Sequence, residues 1–157
     1  MTTQPRRVIA GLDASGKSCV VSDEPMPQGS AAGMGITVAF TGPIARTDNA
    51  APLPGGFADF SMSLLTDPVY AMMLATYEPG QGRDDPGIHF TNTTDHFYII
   101  EGEVVLVLEQ GEAVLRAGDI GICRGVMHGW RNDTDKPARL VTMVLPADPL
   151  PVYSQES

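Results

Sequence analysis

The sequence predicts a mainly β protein built as one domain over residues 1–157. Its length is usual for one domain, and 43% apolar residues are enough to bury one core. Thirteen prolines and seventeen glycines are spread along the chain. No stretch of ten or more residues keeps a clean helical period, so we expect many short strands separated by turns.

The first 66 residues are expected to form strands and loops that pack on a barrel core. Residues 6–24 are predicted to form a hairpin, because two β-prone runs flank a turn-rich segment at 13–17. The Pro-, Gly- and Ala-rich segments 25–35 and 48–56 are expected to be loops, with a strand at Ile36–Phe40 between them. A short helical turn is predicted over Asp67–Met73, after Asp67-Pro68.

Residues 67–146 carry the clearest β pattern and are expected to form the barrel core. Turn sequences such as Glu101-Gly102 and Gln110-Gly111 separate the runs, and this spacing is typical of a barrel or sandwich. The clearest part begins at Val69–Tyr77, and the predicted strands within it are Phe97–Ile100, Val104–Glu109, Ala113–Arg116, Ile120–Cys123 and Leu140–Leu145. Residues 147–157 are expected to form a surface tail.

The segment Gly11–Ser18 matches the phosphate-binding pattern G-x-x-x-x-G-K-[ST] at every fixed position. That loop functions only where it joins a strand to a helix whose first amides face the phosphates. The following residues, Cys19–Pro25, are β-branched and end in proline. We therefore interpret the segment as a hairpin turn.

The net charge of −9 would repel nucleic acids and anionic membrane surfaces. No apolar run approaches the roughly 20 residues that span a bilayer, and no apolar segment follows the N-terminal arginine pair. We expect a cytoplasmic protein that binds a small molecule, with Cys19 and Cys123 as free thiols.

All three histidines fall within two segments, Gly87–Gly102 and Gly118–Asn132. These segments resemble the two motifs of the cupin superfamily, in particular small single-domain members. The resemblance implies a double-stranded β-helix, or jelly-roll, barrel with extra N-terminal strands. His89 matches the first histidine of the motifs, Asp95 the acidic residue and His128 the last histidine.

The resemblance implies that His89, Asp95 and His128 hold a divalent transition metal such as iron, manganese, zinc or nickel, and take part in catalysis. Two nitrogens and a carboxylate suit these ions. Thr91 stands where the motif has a second histidine, and Asp95 replaces a longer glutamate. His96 is an alternative ligand, although strand alternation favours Asp95 on the inner face. A metal-free pocket, with the histidines as acid and base, is the other interpretation.

Four further residues are candidates for the pocket wall and for contact with substrate, with packing in the core as the alternative for each: Tyr77, Phe97, Met127 and Trp130. The predicted function is a metal-assisted enzyme for oxygenation, decarboxylation, dehydration or isomerisation of a small oxygenated substrate. A non-catalytic binding module with a metal-free pocket is the alternative. The resemblance also implies a homodimer.

Overall fold

The structure is a computed structural model that describes residues 6–12, 18–25, 27, 29–31, 34–52, 54–65 and 69–153. Twelve strands and two short 3₁₀ helices occur in these ranges, which confirms the mainly β prediction. The strands are β1 Arg6–Leu12, β2 Ser18–Pro25, β3 Ser30–Ala31, β4 Met34–Pro43, β5 Gly56–Ala58, β6 Val69–Tyr77, β7 Thr93–Glu101, β8 Glu103–Leu108, β9 Glu112–Arg116, β10 Ile120–Arg124, β11 His128–Arg131 and β12 Ala138–Pro146. The helices are Met62–Leu65 and Pro151–Tyr153.

The strands form three antiparallel sheets in the described part of the chain. The largest has the order β10-β7-β12-β6-β4-β3, and β5 pairs with β4 beside it. A second sheet has the order β11-β8-β9, and β1 pairs with β2 in a separate sheet. None of the described helices has the length and hydropathy of a membrane span.

The N-terminal hairpin is present, because β1 pairs antiparallel with β2 from Arg6–Pro25 to Leu12–Ser18. Its predicted turn, 13–17, lies outside the described residues. The segment Gly11–Ser18, which matches the phosphate-binding pattern, leads into strand β2 and not into a helix, because β2 starts at Ser18. This agrees with our interpretation of the pattern as part of a hairpin.

Two predictions about local structure were wrong. The helical turn expected over Asp67–Met73 does not occur in its described part, because β6 already begins at Val69. Ala71 and Met73 are buried while Met72 is exposed, and this alternation places the apolar side chains on the core face of a sheet. The loop expected over 25–35 is also interrupted by β3 and the start of β4.

The tight turns of the barrel depend on glycines, in agreement with the turn sequences at Gly102 and Gly111. Gly102, Gly111, Gly118 and Gly125 all have φ between 63° and 99°, a region that side chains with a Cβ rarely adopt. They join consecutive strands from β7 to β11. The Asp119 carboxylate accepts a hydrogen bond from the Arg116 amide at 2.7 Å and closes the turn between β9 and β10.

Two clusters of buried side chains form the core. One joins the large sheet to the three-stranded sheet and contains Ile99, Val104 and Leu140. The other lies between the large sheet and the helix Met62–Leu65, and includes Val38 and Val144. Residues of both clusters, such as Leu140 and Val144, line the cavity described below.

Candidate functional site

Backbone pairing brings His89 and His128 together at the start of β11. The two residues form an isolated antiparallel bridge in which each amide donates to the other's carbonyl, at 2.9 and 2.8 Å. Directly paired residues present their side chains on the same face of a sheet. The imidazole centroids are accordingly 4.7 Å apart, with the ring planes at 46°.

Both imidazoles have the same tautomer when neutral. Nδ1 of His89 lies 2.7 Å from the Gly87 carbonyl, and Nδ1 of His128 lies 2.8 Å from the Val126 carbonyl. A carbonyl oxygen only accepts, so Nδ1 must carry the proton in each ring. Nε2 is therefore the nitrogen with a free lone pair, available to a proton or a metal ion.

The two histidines differ in exposure. His89 is exposed at the rim of the site, whereas only 3% of His128 is exposed. Burial lowers the pKa of His128, an effect that the hydrogen bond to Val126 and the Asp95 carboxylate partly oppose. His128 is therefore neutral at pH 7 and its Nε2 can accept a proton.

Asp95 faces the same cavity from β7 and ends a chain of buried hydroxyls. Thr93 donates to Asp95 Oδ1 at 2.7 Å, and Thr91 lies 2.6 Å from the Thr93 hydroxyl. A hydroxyl has one hydrogen, so Thr91 is the donor to Thr93. Burial raises the pKa of Asp95, while the Thr93 hydrogen bond and the nearby histidines lower it.

These groups line a cavity of about 490 Å³, a volume within the range of small-molecule sites. Its walls come from the large sheet, β11, the helix Met62–Leu65 and the loop before β7. The lining residues are Met34, Ile36, Phe60, Met62, Leu65, Met73, Ala75, Tyr77, Gln81, Gly82, Asp85, Pro86, Gly87, His89, Thr91, Asp95, Phe97, His128, Trp130, Leu140, Thr142 and Val144.

Three of the four predicted pocket residues lie in this lining and contact one another. Trp130 meets Phe97 edge-on at 5.0 Å and Tyr77 at 6.0 Å between ring centroids. The Trp130 ring also stands at 89° to His128, 6.4 Å away. Burial raises the pKa of the Tyr77 phenol, so this hydroxyl stays protonated.

Two other candidates lie away from the cavity. His96 is exposed on the opposite face of β7. The pairing of β7 with β10 and with β12 has no register shift at Asp95 or His96, so no bulge exchanges the faces of these two residues. Met127, which precedes β11, does not line the cavity. The Met127 amide instead donates to the Tyr153 hydroxyl at 3.2 Å.

Asn132, which matches the second motif, has a structural role. It is fully buried, and its amide group donates to the carbonyls of Tyr77 and Lys136 at 3.0 and 2.7 Å. Its Oδ1 accepts from the amide and the hydroxyl of Thr134. Its side chain thus joins the end of β11 to β6 and to the loop before β12.

Sequence reasoning missed several polar residues of the site, among them Thr93 in the hydroxyl chain, and Gln81, Asp85 and Thr142 in the cavity lining. The position of Thr93 in the site could have been predicted, because Thr91, Thr93 and Asp95 are spaced two apart and share one face of an extended chain.

The donor chemistry fits a divalent transition metal, because two imidazoles whose Nε2 atoms are not hydrogen-bonded to the backbone and a carboxylate line one cavity. However, no group of three or more His, Cys, Asp or Glu side chains among the described residues converges closely enough to hold an ion. The Asp95 carboxylate is instead engaged by Thr93. The ligand types are therefore present, while the three-ligand arrangement implied by the resemblance is not assembled.

Comparisons with known proteins agree with this architecture. The chain is 34% identical to the cupin-domain-containing oxidoreductase srdB of Neurospora crassa, over 97% of this chain and 79% of srdB. It is 39% identical to oryzines biosynthesis cluster protein J of Aspergillus oryzae, over 51% of this chain and 44% of that protein. An RmlC-like cupin from Shewanella frigidimarina has the same fold, with a TM-score of 0.50 and 14% identity over 78% of this chain and 85% of that one.

The Cupin_2 family profile, described as a cupin domain, matches residues 73–144. This range runs from β6 to β12 and contains His89, Asp95 and His128. The profile match and the near full-length similarity to srdB agree with the two motifs found in the sequence. The chain belongs to the cupin family.

Proposed function

We propose that this protein is a cupin enzyme of the oxidoreductase class, acting on a small molecule in the 490 Å³ cavity. The observation that carries the proposal is that His89, Asp95 and His128 line one cavity whose other walls are largely apolar. Polar groups that converge in an apolar pocket are typical of active sites. The similarity to srdB, a protein named as an oxidoreductase, supports the reaction class.

Asp95 and His128 have opposite pKa shifts that suit them to proton transfer. Burial raises the pKa of Asp95 and lowers the pKa of His128, so both values move toward each other. A buried acid and base whose pKa values shift toward each other are suited to exchanging protons with a substrate. While no metal occupies Nε2 of His128, this nitrogen accepts a proton from the substrate, and Asp95 holds or returns one.

His89, His128 and Asp95 are also the residues that would hold a divalent transition metal, with iron, manganese, zinc and nickel as candidates. When bound, such an ion would polarise a substrate oxygen or exchange electrons with the substrate or dioxygen. The hydrogen bonds from the two Nδ1 atoms to backbone carbonyls orient both rings for this role.

A second candidate function is a metal-free pocket that binds a small molecule without turnover. The observation in its favour is the absence of a converged three-donor group among the described side chains. Thr91, at the position of the missing histidine, is committed to a hydrogen bond with Thr93. The same cavity would then recognise its ligand by shape and by hydrogen bonds to the histidines.

The experiment is elemental analysis of protein purified without a tag or chelator. We expect about one transition-metal ion per chain in the wild type and none in a His89→Ala/His128→Ala variant. The matched control is His96→Ala, because this third histidine is exposed on the face of β7 that points away from the cavity. It should retain the wild-type metal content.

Two results would contradict the metal part of the proposal. One is equal metal in the double variant and the wild type, which would place the ion elsewhere. The other is a wild type that stays empty after incubation with each of the four ions. That result would leave the metal-free pocket as the better interpretation.

A further inference from the structure

The backbone holds the two site histidines to different degrees. His128 begins β11, where it is paired with Leu108 of β8. His89 lies between β6 and β7, and its pairing with His128 is an isolated bridge of two hydrogen bonds. On one side of the bridge, the Trp130 amide also donates to the Pro86 carbonyl at 3.0 Å. Each of these bonds adds only modestly to stability, so side-chain contacts on the other side of the bridge matter.

Tyr153 supplies those contacts. Because the bridge is antiparallel, Phe90 and Met127 are the next residues along the two segments. The Tyr153 ring stacks on Phe90, with centroids 4.5 Å apart and ring planes at 20°. The Tyr153 hydroxyl accepts a hydrogen bond from the Met127 amide at 3.2 Å. One side chain thus contacts the residue after His89 and the residue before His128.

The Tyr153 side chain is itself anchored to the three-stranded sheet. Its hydroxyl donates to Oε2 of Glu109 at 3.5 Å, directly after β8 ends. The chain that leads to Tyr153 is also held, since the Ala147 amide donates to the Asn92 carbonyl at 2.9 Å. Tyr153 belongs to the segment expected to be a surface tail, and it lies outside residues 73–144, which match the family profile.

We infer that Tyr153 is a positioning residue that holds the segment around His89 against β11 and so keeps the two imidazoles side by side. The ring fixes Phe90, and the hydroxyl joins that ring to the backbone before His128. An aromatic stack and a hydrogen bond together are comparable in strength to the two bonds of the bridge. Sites built from distant segments need such supporting contacts to keep their geometry.

This inference rests on the proposed function, because it assigns Tyr153 to the same site. It concerns only the geometry of the two histidines, however, and the experiment needs neither a metal ion nor turnover. The amides of His89 and His128 donate to each other's carbonyls, so their hydrogen exchange reports the opening of the bridge directly.

The experiment measures amide hydrogen exchange by NMR in chelator-treated protein. We expect Tyr153→Ala to raise the exchange rates of the His89 and His128 amides about tenfold, and to leave those of the β6–β12 ladder unchanged. Tyr153→Phe keeps the stack and loses the hydroxyl, so its exchange rates should lie between those of the wild type and Tyr153→Ala.

A second readout follows the side chains. The imidazole centroids are 4.7 Å apart, so the wild type should show a nuclear Overhauser cross peak between ring protons of His89 and His128. We expect this cross peak to weaken in Tyr153→Ala and to be retained at least partly in Tyr153→Phe. A tyrosine that only stabilised the fold would leave the cross peak intact.

Tyr70→Ala is the matched control, because it also removes a tyrosine ring that stacks on a phenylalanine. Tyr70 lies on β6 and stacks on Phe40 of β4, with centroids 5.5 Å apart, and neither strand carries a site histidine. This variant should leave both the exchange of the histidine amides and the cross peak unchanged.

Unchanged exchange and an unchanged cross peak in Tyr153→Ala would overturn the inference. An equal rise in Tyr70→Ala would also overturn it, because the amides would then report only a loss of global stability. If Tyr153→Ala does not fold, Tyr153→Phe decides, since exchange at the wild-type rate in that variant would show that the hydroxyl does not hold the bridge. The metal analysis of the wild type tests the proposed function separately from all these outcomes.

Discussion

At the scale of single residues, burial shifts the pKa values of two groups in the site, Asp95 and His128. Asp95 illustrates this, because its carboxylate is held inside the barrel by one hydroxyl donor, Thr93. Burial is the largest cause of its raised pKa, so ionising Asp95 destabilises the folded state. Active-site carboxylates often show this conflict between stability and chemistry.

Asp95→Asn should therefore stabilise the protein increasingly as the pH rises. A carboxyl whose pKa is raised on folding contributes stability below its unfolded pKa of about 3.9, and that contribution is lost as the pH rises through the folded value. Asparagine never ionises, so the variant escapes this loss. The measurement is urea unfolding of chelated protein between pH 4 and pH 8.

The control for this prediction is Asp148→Asn, since Asp148 is exposed after β12. Its effect on the free energy of unfolding should be small, because exposed surface substitutions rarely change stability. If the Asp95→Asn difference does not grow as the pH rises, the argument from burial of the Asp95 charge is wrong.

At the scale of elements, β7 and β10 show how two strands shape the cavity wall. Gly121 on β10 is paired with Phe97 on β7, and the Phe97 ring lies over the glycine. A Cβ at position 121 would stand 2.1 Å from Cε2 of Phe97. The glycine thus gives the phenyl ring the space in which it meets Trp130.

Gly121→Ala is expected to lower the free energy of unfolding by about 1–3 kcal/mol, because the ring or the strand must move to relieve the overlap. It should also shift Trp130 fluorescence, since Phe97 contacts that ring. Gly56→Ala is the control, because a Cβ there meets nothing within 4 Å and the glycine has an ordinary φ. A loss of stability no larger than that of the control would contradict the packing argument.

At the scale of the whole molecule, the outer face of the large sheet carries a group of exposed apolar side chains. Ile120 is 73% exposed and Ile122 is 59% exposed on β10, and Tyr98 lies beside Ile120 on the adjacent strand. On β12, Met143 is paired with the similarly exposed Met72 of β6. Exposed apolar patches on a sheet often mark contacts between proteins.

The homodimer stays a prediction, and this face gives it a specific test. If two copies pair through the outer face, Ile120→Lys/Ile122→Lys should convert the dimer to a monomer in sedimentation velocity experiments, since lysines would be buried without partners. Val152→Lys is the control, because Val152 is 74% exposed away from this sheet. A monomeric wild type, or a double variant that remains dimeric, would exclude pairing through this face.

Much of the fold was predictable from local signals. The alternation of apolar residues predicted the strands of the barrel, and the glycines predicted its turns. Both signals depend on residues that are close in sequence. The resemblance of two segments to the cupin motifs identified His89, Asp95 and His128 as the candidate site. Local signals failed over Asp67–Met73, where the helical start suggested by Asp-Pro yielded to pairing of β6 with two strands.

By itself, the sequence determined the fold class, the turns and the chemical types of the site residues, since these depend on composition and short-range periodicity. Only the tertiary structure decided which side chains meet: the His89–His128 bridge, the Thr91–Thr93–Asp95 chain and the apolar wall contributed by Ile36 and Phe60. Strand periodicity specifies the face on which a side chain lies but not the strand that will face it. Those partners are selected by packing between segments that are far apart in the chain.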